Sequence, residues 1–285
     1  MSRTWLITGS SRGFGWELAS AALDRGDNVV ATARRSEQLA ALVATYGSRV
    51  RTAVLDVTDL SAARAAVMVA VDEFGSLDVV VNNAGYAKSA AIEEMTIEDF
   101  RAQIETNFFG VVNVTKAALP VLHEQRRGHF IQFSSIGGRV GGSPGLAAYQ
   151  SAKFAVEGFS EVLNAEVKPL GIKVTIIEPG GFRTDWGGSS MLTSPVGGDY
   201  DSTVGEMNRY RESTVATWAG DPKRAAQIIV DIVNLDDPPL RLLLGAGAVE
   251  SAATSSRIRA EEAEQWSAVS RSADFGADRV AVDLR

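Results

Sequence analysis

Cysteine is absent from all 285 residues, which excludes disulfides, thiolate catalysis and a cysteine-built zinc site. Histidine is nearly absent. His123 and His129 flank a basic loop, too sparse a set for a metal centre, and no metal is expected. No apolar run reaches the roughly 18 residues that a membrane-spanning helix needs. The chain enters its first β-type run within a few residues, so no signal peptide is expected either, and a cytoplasmic location follows as an expectation. Lys and Arg number 28 against 35 Asp and Glu, a net charge of −7 with no long basic block. Nucleic acid and anionic membrane are therefore poor candidate partners. Nor is there an internal repeat.

What is present is alternation. With 45% hydrophobic residues the chain can bury one large core. Apolar β-type runs fall near 4–8, 28–33, 49–55, 78–82, 129–134, 173–178 and 240–244, and helical periodicity near 13–25, 36–45, 60–74, 97–124, 148–168, 222–234 and 250–268. This rhythm predicts an α/β fold: one Rossmann-like, doubly wound parallel sheet of about seven strands with helices on both faces, residues 1–285 forming a single domain. Pro120 predicts a kink or early end in the fourth helical stretch. Residues 185–215, interrupted by Gly187, Gly188, Gly197 and Gly198, read as a long irregular segment and a candidate substrate lid. Residues 250–285 read as a C-terminal helical extension.

The chemistry-bearing residues cluster after strands. Tyr149 and Lys153 stand four apart in AAYQSAK, and on a helix such a pair shares one face. An ammonium beside a phenol stabilises the phenolate, which suits the tyrosine to proton exchange with a carbonyl or alcohol. Alone, the pair describes many solvated helix faces. It is accompanied by TGSSRGFG at residues 8–15, a glycine turn between a strand and a helix, where backbone can approach a pyrophosphate at a helix N-terminus. VVVNNAG, FIQFSSIGG and VTIIEPGGFRT add three more strands ending in polar or glycine-rich clusters. Open α/β sheets bind ligands at such strand ends.

This ordered set resembles the short-chain dehydrogenase/reductase family in its single-domain form, from Thr8 to Thr184, through TGSSRGFG, NNAG, Asn107 in ETNFFG, Ser135, YQSAK and PGGFRT. The resemblance implies a catalytic set of Asn107, Ser135, Tyr149 and Lys153. Tyr149 would exchange the proton while hydride passes at the carbonyl carbon, and Lys153 would lower the tyrosine pKa and hold the nicotinamide ribose. Ser135 would donate to the substrate oxygen, and Asn107 would hold a water leading from Lys153 to solvent. The implied cofactor site comprises Gly9, Ser11, Arg12, Gly13, Phe14 and Gly15; Arg34; Asp56 and Val57; Asn83, Ala84 and Gly85; Tyr149 and Lys153; and Pro179, Gly180, Phe182 and Thr184. The spacing from Ser135 to Tyr149 is one residue longer than in the family pattern, with the excess in GGSPG, so Ser134 and Ser135 both remain open as the residue facing the substrate.

The second strand ends in Ala33 followed by Arg34, where an NAD-preferring site would carry an acid. With Arg12 nearby, two guanidinium groups suit a 2′-phosphate, and NADP(H) is the expected cofactor. Asp59 reads as a helix cap. The expected reaction interconverts a small-molecule carbonyl compound, ketone or aldehyde, and its alcohol. Trp186, Met191 and Leu192 suggest apolar lid contacts. A nucleotide-sugar epimerase or dehydratase is one alternative, although such chains carry a distinct sugar-binding domain. A non-catalytic NADP-sensing protein is the other. The long helices 97–124 and 148–168, the second apolar at Phe154, Ala155, Phe159 and Leu163, imply by resemblance a homodimer or homotetramer.

Overall fold

The computed structural model describes residues 2–184 and 190–281. Nine strands appear among them: β1 (Thr4–Ile7), β2 (Asn28–Ala33), β3 (Val50–Val54), β4 (Val79–Asn82), β5 (Ala87–Ser89), β6 (Gly128–Phe133), β7 (Ile172–Pro179), β8 (Met191–Thr193) and β9 (Arg241–Leu244). Seven form one sheet in the order β3-β2-β1-β4-β6-β7-β9, every pair parallel. The strand order reverses between β1 and β4, the switch point at which such sheets open a crevice at their carboxyl ends.

Strand periodicity explains why helices cover both faces. Trp5 and Ile7 of β1, with Val79 and Val81 of β4, enter one buried cluster; Leu6 and Val80 enter the other. The first cluster is completed by α1 (Gly13–Asp24) and by α9 below; beyond β2 lies α2 (Ala40–Tyr46). The second is closed by α3 (Leu60–Phe74) and the stretch after β5. That stretch comprises α4 (Ile97–Ile104), one π turn (Glu105–Phe109) and α5 (Gly110–Gln125). Then come α6 (Ile136–Arg139), α7 (Ala147–Val167), α8 (Glu206–Thr214), α9 (Pro222–Val233), α10 (Ala246–Gln265) and α11 (Ser267–Arg271). Each large side chain withdrawn from water contributes roughly 1.5–3 kcal/mol to the core.

The predicted strands and helices match these elements closely, with four differences. The 97–124 helix is interrupted at Glu105–Phe109, and α5 runs on through Pro120. The interruption arises where the Asn107 amide donates to the Gln103 carbonyl and the Tyr86 carbonyl (both 2.9 Å), a pull absent at Pro120. The 185–215 stretch is not irregular throughout: β8 pairs with β5, and α8 begins at Glu206. Its residues 185–189, Trp186, Gly187 and Gly188 among them, lie outside the described residues. Met191 packs on the Ala87–Leu146–Tyr149 cluster and Leu192 is exposed, so neither lines the cleft described below. The helix expected at 250–268 starts earlier, as α10 at Ala246, and gives way to α11 at Ser267.

Candidate active site

Four loops meet above the sheet switch point, and the glycine turn after β1 is the most tightly constrained. Gly9 and Gly13 sit at φ +67° and +54°, where L side chains are strained. A Cβ on Gly15 would stand 2.2 Å from the Gly9 carbonyl oxygen and 2.7 Å from Asn83 Nδ2. Asn83 Nδ2 donates to the Thr8 carbonyl (2.9 Å), and Thr8 Oγ1 accepts from the backbone N–H groups of Asn83 and Ala84. The loops after β1 and β4 are therefore stitched into one body. Ser10, not Ser11, is the buried serine of the turn, donating to the Ile7 carbonyl (2.7 Å).

The N-terminus of α1 is left open. Its N-cap Arg12 makes no side-chain cap, and no acid lies in the first turn. By contrast, α3, α4 and α9 are capped by Asp59, Thr96 and Asp221. An uncapped first turn facing a glycine cradle fits a phosphate-bearing cofactor. Along the carboxyl edge of β2 and β3, Arg34 and Asp56 are exposed. Asp56 accepts from the Thr58 N–H and hydroxyl, and the Thr58 backbone bond, aided by Arg34, holds its carboxyl below the usual carboxylate range. Val57 is buried, and its carbonyl accepts from Asn113.

Beside the turn lies a cleft of about 310 Å³ bordered by Phe14, Asn83, Gly85, Ser134, Ser135, Tyr149, Lys153 and the Pro179–Phe182 corner with Thr184. Arg12, Arg34, Asp56 and Val57 lie outside its lining. Tyr149 and Lys153 are both buried on α7, with Lys153 Nζ 5.7 Å from the tyrosine ring centroid. Lys153 donates to the Phe133 carbonyl (2.7 Å), and burial pushes its pKa down to about 8. It therefore stays mostly protonated at neutral pH. Both amide hydrogens of Asn107 are committed to Tyr86 and Gln103, and its Oδ1 accepts from the Tyr86 N–H (3.0 Å). Asn107 thus braces the Gly85–Tyr86 backbone, and with both N–H groups used it could meet a water only as an acceptor, through the second lone pair of Oδ1.

Ser134 and Ser135 differ in setting. Ser135 Oγ caps α6, accepting from the Gly137 N–H (3.0 Å), which leaves its hydroxyl hydrogen available to a ligand. Ser134 Oγ is buried with no hydrogen-bond partner among the described residues and abuts Gly138, whose Cβ would stand 2.5 Å from it. In the 141–145 loop Gly141, Gly142 and Gly145 all have positive φ. Phe182 packs its ring on Phe14 (5.0 Å between centroids) and so belongs to the wall.

A family model for short chain dehydrogenases matches residues 3–193. The chain belongs to the short-chain dehydrogenase family. It is 49% identical over 267 residues to oxidoreductase BOA17 of Botryotinia fuckeliana, covering 93% of this chain and 97% of that one. It is 38% identical over 242 residues to a 3-ketodihydrosphingosine reductase of Bacteroides thetaiotaomicron, covering 84% and 87% respectively. A short-chain dehydrogenase structure from Streptomyces avermitilis superposes with a TM-score of 0.90 at 38% identity, over 96% of this chain and all of that one. The NADP-bound structure of ElxO gives 0.72 at 26% identity, over 88% and 100%.

A short-chain dehydrogenase binds NAD(P), and the glycine cradle with the open α1 terminus fits that group. Sequence reasoning singled out none of the far-wall residues of the cleft: Ile136, Gln150, Met207, Tyr210, Arg211 and Trp218. Ile136 and Gln150 stand inside the FIQFSSIGG and YQSAK clusters, and Met207, Tyr210 and Arg211 inside the 185–215 stretch read as a candidate lid, but α8 is so polar that its pattern pointed to no one residue. Among the described residues no helix is long and apolar enough to cross a bilayer. His129 is buried in β6 against Thr175 Oγ1, with its pKa pushed down to about 3 by burial, and no metal-competent cluster occurs among the described residues.

Proposed function

We propose that this short-chain dehydrogenase is an NADP(H)-dependent carbonyl reductase, or alcohol dehydrogenase in reverse, with Tyr149 as general acid/base. The observation that carries the reading is a buried tyrosine and a buried, hydrogen-bonded lysine on one helix face, opening onto the cleft beside the glycine turn. When bound, the nicotinamide supplies or accepts the hydride. Gly9, Ser11, Gly13, Phe14 and Gly15 with the α1 terminus would hold its diphosphate; Asp56, Val57 and Asn83–Gly85 its adenosine side; Pro179, Gly180, Phe182 and Thr184 its nicotinamide end.

Tyr149 gives its proton to the carbonyl oxygen as negative charge grows there, and the Lys153 ammonium offsets the phenolate left behind. Ser135 donates a second hydrogen bond to that oxygen, a role its cap geometry leaves open. Asn107 keeps the Gly85–Tyr86 segment in place beside Lys153. The 2′-phosphate would meet Arg34 and Arg12. Support comes from Ala33 at the end of β2, and from Arg34 being exposed with no ion pair among the described residues while Arg35 pairs with Glu37.

Tyr149→Phe tests the reading. It should bind NADPH as the unaltered protein does, yet lose more than nine-tenths of kcat on any ketone or aldehyde that is turned over, at least about 1.4 kcal/mol of transition-state stabilisation. Retention of more than that tenth would sink the assignment.

The α5–α7 flank supports a homodimer. Leu163 turns inward to the core, and Phe159 meets Phe108 edge to face, but Phe109, Phe154 and Val162 remain exposed. Light scattering at micromolar concentration should give about twice the 30.3 kDa chain mass; the chain mass itself would refute pairing.

A further inference from the structure

The far wall of the cleft carries a charge that catalysis as proposed does not use. Arg211, on α8, lines the cleft and is partly buried. Its guanidinium donates to the Asn208 side-chain oxygen (3.1 Å) and to the Pro144 carbonyl (2.8 Å), both neutral acceptors. No carboxylate among the described residues forms an ion pair with it, although other arginines of the chain, such as Arg139, Arg209 and Arg241, find one. Five N–H groups less two used leaves three for a ligand. Ser89 Oγ donates to the same Asn208 oxygen (2.7 Å), so Arg211 is held from behind by a fixed, uncharged support.

A guanidinium so placed is costly to bury unless an anion completes it. Burial alone pushes its pKa down to about 10, leaving it fully charged at neutral pH. The described lining of the cleft contains Lys153 and Arg211 as its cations and neither aspartate nor glutamate, in a protein of net charge −7. A cationic cleft in an acidic protein draws anionic small molecules towards it. The remaining donors of one planar fork match the two oxygens of a carboxylate.

Building on the carbonyl–alcohol reading of this site, we propose that Arg211 recognises the substrate's carboxylate, so that the substrate is an oxo acid or the corresponding hydroxy acid, its carbonyl at Tyr149. Apolar contact to the rest of the molecule would come from Leu146, Met207 and Trp218, which border the same cleft.

The test uses two acid–ester pairs, benzoylformate with its methyl ester and acetoacetate with its methyl ester. Each is assayed for kcat/KM with NADPH and, separately, for equilibrium binding to the cofactor-loaded Tyr149→Phe protein, where turnover plays no part. Arg211→Met should weaken acid binding and raise the acid KM roughly ten- to a hundredfold, the range for lost charge-assisted hydrogen bonds, with the esters changed less than about twofold. Arg211→Lys, which keeps the charge but not the fork, should recover part of the acid preference. The proposal is overturned if acids and esters weaken together, because Arg211 would then only clamp α8 to the Pro144 loop. It is overturned equally if NADPH affinity falls, because the charge would then serve the cofactor. If no substrate is turned over but the acids bind and Arg211→Met abolishes that binding, the carboxylate site stands and the redox reading fails. If neither acid binds the loaded protein, the carboxylate site fails whatever the redox outcome.

Discussion

On the glycine-turn side of the cleft the chain closes on itself through backbone. The Thr8 hydroxyl takes two backbone N–H groups, Asn83 bonds the Thr8 carbonyl, and the Gly15 Cα lies against the Gly9 carbonyl. On the α8 side the wall is built of side-chain ends. Tyr210 is 61% exposed, Trp218 lies on Gly181, and Arg211 spans to the Pro144 carbonyl. The first side offers a ligand fixed N–H groups and a helix terminus, which every dinucleotide can use alike. The second offers shapes and charges that substitution can exchange without disturbing the sheet. A common cofactor with a variable substrate is the division of labour such a contrast supports.

The sharpest way to break the contrast is Gly15→Ala. One methyl group would meet the Gly9 carbonyl oxygen at 2.2 Å and Asn83 Nδ2 at 2.7 Å, and neither can retreat without undoing the Thr8–Asn83 bonds. A buried overlap of this kind costs on the order of 1–3 kcal/mol or more. Here it also displaces the cofactor cradle, so NADPH affinity should fall by more than about a hundredfold, alongside a lower melting temperature. Titration of the variant with NADPH, after circular dichroism has established its helix content, reads the effect. Affinity within tenfold of the unaltered protein would mean that the turn is as pliant as the α8 wall.

The same contrast explains what could be read in advance. A turn that must be glycine writes itself into the sequence, because Gly9, Gly13 and Gly15 are demanded by φ or by contact. Strands buried on both faces also announce themselves, and Val79–Asn82 is apolar until its last residue. The β5–β8 pair is three residues long on each side and joins segments remote in sequence, so no local pattern specifies it. In α8, Asn208 is the buried residue, and a helix with so little apolar stripe reads as loop. Pro120 misled for a different reason: the break in that helix is set by the tertiary contact of Asn107 with Tyr86, which no helical periodicity encodes.

Arg34→Ala probes the glycine-turn side where side chain, not backbone, discriminates. Arg34 is exposed at the end of β2, so its loss should leave the fold unchanged. Charge-assisted hydrogen bonds are worth roughly 1.5–3 kcal/mol, and the NADPH Kd should rise about ten- to a hundredfold while that for NADH holds. Parallel losses for the two cofactors would show that Arg34 supports the loop and reads no phosphate. Arg12→Ala in the same background should extend the shift.

Tyr210→Ala should give the smallest effect and the cleanest view of the α8 wall. Its ring borders the cleft yet stays mostly in water, and its backbone carbonyl, which accepts from Ser213 and Thr214, survives the substitution. An aromatic ring with so little area withdrawn from solvent contributes at most about 1 kcal/mol to the protein. The melting temperature and the NADPH Kd should therefore stay within error, and kcat should hold because Tyr149 and Lys153 on α7 are untouched. Only KM for the carbonyl substrate should move, by about two- to fivefold, the size expected when a ligand loses part of one apolar contact. A fall in cofactor affinity as large as that of Arg34→Ala would erase the distinction between the two walls, because an α8 side chain would then be shaping the dinucleotide site.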